Sequence, residues 1–327
     1  MINKPKILFM GAGVFAVPVL DAIAHSKNLE LAGTFTQPDK AAGRKRILTP
    51  TPLGKWADAN GIPCERAVSV NTPEFLNKVQ QIAPDLIVVV SFGQLLKQPL
   101  LESAPFGCLN VHASLLPRYR GASPIVSAVL NGDPETGIAF MRMEKGLDTG
   151  PVYEMHRYPV SPDMNAEELE QALSNLAAAR IENCILKVVQ NQIVPQTQSQ
   201  DGVVLSKKIR KSDGSVRWQE DAEVLERKIR AYHNWPSMSF CVNLKKGCIK
   251  VKIMKAKATT FSAPNAIPGK VAAYANNQLM VACGKGALMI ERVLPEGKKE
   301  MAVADFLNGS RIAVGDILLN GPDCTGE

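Results

Sequence analysis

The chain has 327 residues, 46% of them hydrophobic and 21% charged, with a formal net charge of +7. Its length exceeds what one hydrophobic core usually holds, so two domains are expected. The composition is that of an ordinary globule and excludes a disordered chain, and no apolar run reaches the ~20 residues that a membrane-spanning helix needs. Seven cysteines, an odd number without a C-x-x-C pair, speak against a disulfide framework and against a structural zinc site. They fit small buried thiols in a reducing cytoplasm, with Cys241 and Cys248 the pair that an oxidising compartment could join.

Charge is spread unevenly. From Val204 to Lys270 fifteen Lys and Arg stand against five Asp and Glu, a net of +10, so against the total of +7 the remainder carries −3. Scattered lysines usually only solvate a surface, but an excess confined to one predicted domain favours a polyanionic partner.

In chain order, Lys4, Lys6, the apolar stretch after them and Ala22 to Ala24 imitate a secretory signal. A buried strand over Lys6 to Met10, a glycine turn and a helix from about Phe15 account for the same letters. A strand over Leu29 to Thr36 follows, then a polar loop from Gln37 to Pro52 that is long for an α/β connection. Helices near Leu53 to Asn60 and Pro73 to Gln81 and strands over Asp85 to Val90 and Cys108 to His112 continue the alternation. This predicts a mostly parallel sheet with helices on both faces. Asn165 to Gln190 reads as a helix, with Leu169, Leu173, Leu176, Ile181, Ile185 and Val188 in a stripe and Asn165 as N-cap.

The polar, Gln-rich stretch from Asn191 to Asp201 reads as a linker. Beyond it come a helix near Asp221 to Tyr232 and strand-like runs at Met238 to Leu244, Cys248 to Ala256, Gly269 to Ala275, Gln278 to Ala282 and Ala287 to Val293, a small β-barrel pattern. The expected division is a catalytic domain over 1–190, a linker over 191–207 and a second domain over 208–327.

The most informative stretch is CLNVHASLLPRYRG, Cys108 to Gly121. Strand alternation puts Asn110 and His112 on one face and Leu109 and Val111 on the other. A polar pair at the carboxyl end of a strand in an open α/β sheet lines the crevice where ligands bind. A lone histidine in an apolar strand also serves structure, so the pair alone leaves both readings open. A third group adds weight: a strand over Ile138 to Met143 runs into a glycine-bracketed turn carrying Asp148, which can bring a carboxylate to an imidazole.

NVHASLLPRYRGASPI, with LDTG further on and FTQPDKAAGRK before it, resembles the folate-dependent formyltransferases over nearly the whole chain. SKKI and RWQEDAEVLERKIRAYHNWP resemble the second domain found in the branch that acts on a charged tRNA. The resemblance implies a Rossmann-like catalytic domain followed by a smaller OB-like barrel. It also implies transfer of the formyl group of 10-formyltetrahydrofolate, without a metal, to the α-amino group of methionyl-initiator tRNA, by a monomer working in the cytoplasm away from membranes.

By the same resemblance Asn110 donates to the oxyanion, His112 acts as general base and acid, and Asp148 accepts a hydrogen bond from the imidazole and fixes its tautomer. Ser114, Leu115, Leu116 and Pro117 form one wall for the reduced folate, and Phe92, Gly93 and Leu95 form another. Arg44, Lys45 and Arg46 in the long loop, with Lys207, Lys208 and Arg210, grip RNA phosphates; a merely solvated loop is the alternative.

Two departures stand out. Where the family carries G-T-P after its first strand, this chain has Gly11, Ala12 and Gly13, which with Ala16 make G-x-G-x-x-A, a dinucleotide fingerprint. Where the family carries H-G-S, it has His112, Ala113 and Ser114. An NAD-dependent oxidoreductase is therefore a rival, but it needs an acidic residue ending the second strand, and Thr36 and Gln37 stand there. A second rival is formyl transfer to a small amine, an amino sugar nucleotide or glycinamide ribonucleotide; the basic second domain and the Arg44 loop favour tRNA.

Overall fold

A computed structural model describes residues 4–42, 46–244, 247–260, 267–275, 277–310 and 312–321. The chain divides into two compact units, one of Met1–Pro124, Glu135–Val160 and Leu169–Ser206, the other of Ile125–Pro134, Ser161–Glu168 and Lys207–Glu327.

The elements begin with β1 (Lys6–Gly11), α1 (Ala16–Ala24), β2 (Glu30–Thr36), the short β3 (Lys40–Ala42) and β4 (Ile47–Thr49), and α2 (Pro52–Ala59). Next come β5 (Glu65–Arg66), α3 (Pro73–Ile82), β6 (Leu86–Val90), α4 (Gln98–Leu101), β7 (Cys108–His112) and β8 (Arg120–Gly121). Then follow α5 (Pro124–Asn131), β9 (Glu135–Arg142), β10 (Val152–Pro159), α6 (Ala166–Val189) and β11 (Leu205–Ser206).

Seven strands make one sheet in the order β10-β9-β7-β6-β1-β2-β5. The pairs from β7 through β5 are parallel, whereas β9 and β10 run antiparallel. The central strand LIVVV of β6 is buried throughout, as a strand covered on both faces must be. Its core joins Leu8, Met10, Phe35, Val79, Ile87 and Val89 to Leu96 and Leu100.

Helix starts follow local chemistry. Thr51 caps α2 by accepting from the Gly54 N–H, and Thr72 caps α3 by accepting from the Phe75 N–H, each with proline at the first helical position. Asn165 Oδ1 accepts from the N–H groups of Glu167 and Glu168 while Glu168 Oε2 accepts from the Asn165 N–H, a reciprocal capping box.

The second unit contains α7 (Ala222–Ala231), β12 (Ser239–Leu244), β13 (Gly247–Thr259), β14 (Val271–Ala275), β15 (Gln278–Ala282), β16 (Ala287–Pro295), β17 (Met301–Ala302) and α8 (Val303–Ser310). Its antiparallel sheet runs β12-β13-β16-β15-β14, with β17 on β16. The chain end ties the two edges together, because Leu319 bridges Cys241 on β12 and Ile317 bridges Lys270 just before β14. That linkage makes the sheet an OB-like half-barrel and covers edges that would otherwise offer free backbone groups.

Among the described residues Cys241 departs from the all-thiol expectation. Cys241 is disulfide-bonded, while Cys64, Cys108, Cys184, Cys248 and Cys283 are free. Cys248 is not its partner: in the β12–β13 hairpin Cys241 lies opposite Lys250 and Cys248 opposite Asn243. Among the described residues no helix is long and apolar enough to cross a membrane.

Candidate active site

β7 lies between β6 and β9, with Asn110 opposite Val89 on one side and Met141 on the other, and His112 opposite Ala139. β6 ends at Val90, so His112 projects beyond its neighbour's last paired residue, at the carboxyl end of the parallel strands. Among the described residues the Asn110 side chain makes no hydrogen bond, and it is only half-buried. An amide held on a rigid strand with both ends unsatisfied is available to a ligand.

His112 is 5% exposed and fixed from both sides. Its Nε2 lies 2.9 Å from the backbone carbonyl of Tyr119. A carbonyl only accepts, so Nε2 carries the hydrogen and the neutral ring presents its lone pair at Nδ1. Nδ1 faces Asp148 Oδ2 at 3.7 Å, within ion-pair reach and beyond hydrogen-bond length. The same Oδ2 accepts from the Gly121 N–H at 2.8 Å. The tautomer is therefore set by Tyr119, and Asp148 acts on the ring through its charge.

The turns that deliver these groups are tightly specified. Asp148 has φ 52, and Tyr119 has φ 59. Gly150 is obligatory because an added Cβ would lie 1.9 Å from the Arg142 carbonyl oxygen. After His112, Ser114 Oγ donates to the Arg118 carbonyl at 2.6 Å and the Arg118 N–H donates to the Leu115 carbonyl at 3.1 Å, closing the SLLP turn. Tyr119 is buried, its ring under the Arg118 guanidinium at 5.0 Å.

The residues expected as folate walls separate by environment. Ser114 and Leu116 are buried, Leu115 and Pro117 half-buried. The Phe92 ring belongs to the core and its carbonyl accepts from Gln37 Nε2 at 2.6 Å, so only the backbone there faces outward. Gly93 has φ 74, and Leu95 is 73% exposed, an apolar side chain free to cover a flat ring. Leu147, beside Asp148, is also exposed.

Arg44 and Lys45 lie outside the described residues; Arg46, Lys207, Lys208 and Arg210 are all exposed. The Gly11–Ala16 fingerprint has a packing explanation, since a Cβ on Gly11 would approach Phe9 Cε1 at 2.8 Å and Ala16 Cβ at 2.9 Å. At the end of β2 the position a ribose-binding carboxylate would need is held by Gln37, its Oε1 accepting from Lys40 Nζ and its amide given to Phe92. Cys108, on the same face as Asn110, has its thiol pushed up to about 12 by burial, so it is no thiolate nucleophile. Tyr119 and Gly121 hold His112 and Asp148 through backbone atoms, which no side-chain motif marks.

A sheet of this topology with an amide, an imidazole and a carboxylate gathered at one strand end has the layout of a group-transfer enzyme, and the chain belongs to the formyl transferase family. The formyl transferase model matches residues 5–185, and that of the formyl transferase C-terminal domain matches residues 208–311. Methionyl-tRNA formyltransferase from Halorhodospira halophila is 38% identical over 311 residues, covering 95% of this chain and 98% of the relative. That from Trichlorobacter lovleyi is 36% identical over 314 residues, covering 96% and 97%. Among solved structures, an N-formyltransferase from Helicobacter canadensis in complex with folinic acid and dTDP-3-aminofucose shares the fold, with a TM-score of 0.60 at 18% identity over 88% of this chain and 98% of its own.

Proposed function

We propose that the chain transfers the formyl group of 10-formyltetrahydrofolate to the α-amino group of methionyl-initiator tRNA in the cytoplasm, acting as a monomer. The observation that carries this reading is the arrangement of His112, with Nε2–H committed to Tyr119 and Nδ1 open toward Asp148, beside an Asn110 side chain on the same strand face that has no partner among the described residues. Nearly full-length likeness to relatives named for the tRNA reaction supports methionyl-tRNA as the source of the amine.

In this mechanism the uncharged amine attacks the formyl carbon and the carbonyl oxygen gains charge. Asn110 donates its amide N–H to that oxygen. His112 Nδ1 takes the proton released by the amine and returns it to the departing folate nitrogen. The imidazolium formed in between sits 3.7 Å from the Asp148 carboxylate, which stabilises it by charge without sharing a proton. Arg46, Lys207, Lys208 and Arg210, with Arg44 and Lys45, supply positive charge for the RNA backbone.

The test is direct. The protein is incubated with 10-formyltetrahydrofolate and, separately, charged initiator tRNA, an amino sugar nucleotide or glycinamide ribonucleotide. Formyl-methionyl-tRNA as the sole product supports the reading; formylation of a small amine alone replaces the substrate and keeps the chemistry.

A further inference from the structure

Gln198 falls between the stretches matched by the two family models and in the Gln-rich run that reads as a linker, yet it is only 8% exposed. Its side-chain amide is held at both ends. Oε1 accepts from Arg120 Nε at 2.9 Å, while Nε2 donates to the backbone carbonyls of Asp148 at 2.9 Å and Gly150 at 2.7 Å. A guanidinium only donates and a carbonyl only accepts, so the amide has one satisfied orientation.

The neighbouring backbone reinforces it. Gln196 exchanges two hydrogen bonds with Val152, both 2.8 Å, and Leu205 and Ser206 pair with Arg120 and Gly121. Residues 196–206 thus fasten together the two turns that carry the site, the one ending at Gly121 and the one bearing Asp148. Asp148 itself stands at φ 52, a conformation that a non-glycine residue keeps only when its surroundings enforce it. Gln198 supplies that enforcement at the Asp148 carbonyl, and Gly121 supplies it at the carboxylate.

We propose that Gln198 is a positioning residue, its amide locking the 148–150 turn so that the Asp148 carboxylate is held toward His112; the activity arm of this inference rests on the formyl-transfer reading above. Methionine has nearly the shape of glutamine without the amide, so Gln198→Met removes the bonds and keeps the packing. Glutamate keeps an acceptor for Arg120 and loses both donors, so Gln198→Glu separates the two ends of the clamp.

In the full-length protein, Gln198→Met is expected to lower kcat about tenfold, with KM for both substrates within about twofold, because the catalytic geometry and not the binding surface is disturbed. Gln198→Glu is expected to fall at least as far, and it carries the same test should the methionine variant fail to fold. Hydrogen exchange at the Gly121 amide, which donates to Asp148, is expected to accelerate in both variants, and this readout is independent of what the enzyme formylates. Unchanged Gly121 exchange overturns the clamp whatever the activity does. Faster exchange with wild-type kcat, or a loss confined to KM, overturns its role in positioning. Wild-type protein that formylates no amine, with Gly121 exchange still responding to Gln198, removes the formyl-transfer reading and leaves the clamp standing.

Discussion

Gly121 donates its backbone N–H to Asp148 Oδ2 at 2.8 Å, and this bond, rather than one from the imidazole, anchors the carboxylate. His112 Nδ1 stands 3.7 Å from the same oxygen. Asp148→Asn can keep the Gly121 bond through its carbonyl oxygen while deleting the charge. In triads where the carboxylate is bonded to the ring and selects its tautomer, that change costs about 10⁴ in kcat. Here Tyr119 selects the tautomer, so a smaller loss of about 10²–10³ is expected, read as kcat at saturating substrates with the folded state checked by circular dichroism. A loss as large as 10⁴ would mean that the ring and the carboxylate bond directly during turnover.

Asn110 gives a second expectation. Its amide is unpartnered among the described residues, so truncation strands no buried partner and stability should change by less than about 1 kcal/mol. Loss of an oxyanion donor costs about 10²–10³ in rate, so Asn110→Ala should lower kcat by that factor with KM nearly unchanged. Asn110→Asp should be worse still, since it sets a negative charge against the growing oxyanion. Single-turnover formylation rates distinguish these outcomes from slow product release.

Much of this was readable from residue order. The alternation in CLNVH paired Asn110 with His112, the glycines around Asp148 announced a turn, and Asn165 foretold the helix cap, because strand period, turn chemistry and capping are local properties. What escaped was non-local or polar. β10, VYEMHRYP, mixes tyrosine, glutamate, histidine and arginine with only Val152 and Met155 and so lacks a clear apolar alternation, and β3 pairs antiparallel with β4 inside a stretch that reads as loop. Gln198 bonds to residues remote in sequence, and nothing in its own neighbourhood separates it from an exposed linker glutamine. The carbonyl of Tyr119 and the amide of Gly121 do work that any residue's backbone could do, which makes them invisible to a reading of side chains.

The exposed cations yield an electrostatic prediction. Lys207 and Lys208 are both exposed. If each meets one phosphate, Lys207→Ala with Lys208→Ala should raise KM for tRNA and reduce the slope of log affinity against log salt by about 2, since each neutralised phosphate contributes close to one unit. KM for the folate should stay as it is. Filter binding across a salt series checks the slope, and an unchanged slope removes these lysines from the RNA-binding surface.

Glu154 offers a test of stability apart from catalysis. It lies on β10 with its side chain 13% exposed, bonded to Lys187 Nζ on α6 at 2.6 Å and to His156 Nε2 at 3.1 Å. Burial alone would raise its carboxyl above the ordinary value of 4.5, but the bonds to Lys187 and His156 outweigh burial and hold it below. A carboxyl whose folded value is depressed stabilises the fold fully above its unfolded value, and that contribution fades as pH falls from there through the folded value. Glu154→Gln should therefore cost about 1–2 kcal/mol at pH 7, less than a wholly buried pair because Lys187 is 37% exposed. The penalty should shrink steadily below pH 4.5 as the wild-type carboxyl takes up its proton. Urea unfolding of both proteins from pH 7 down to pH 3 measures the difference; a gap that stays constant across that range would show that ionisation of the carboxyl contributes nothing to it.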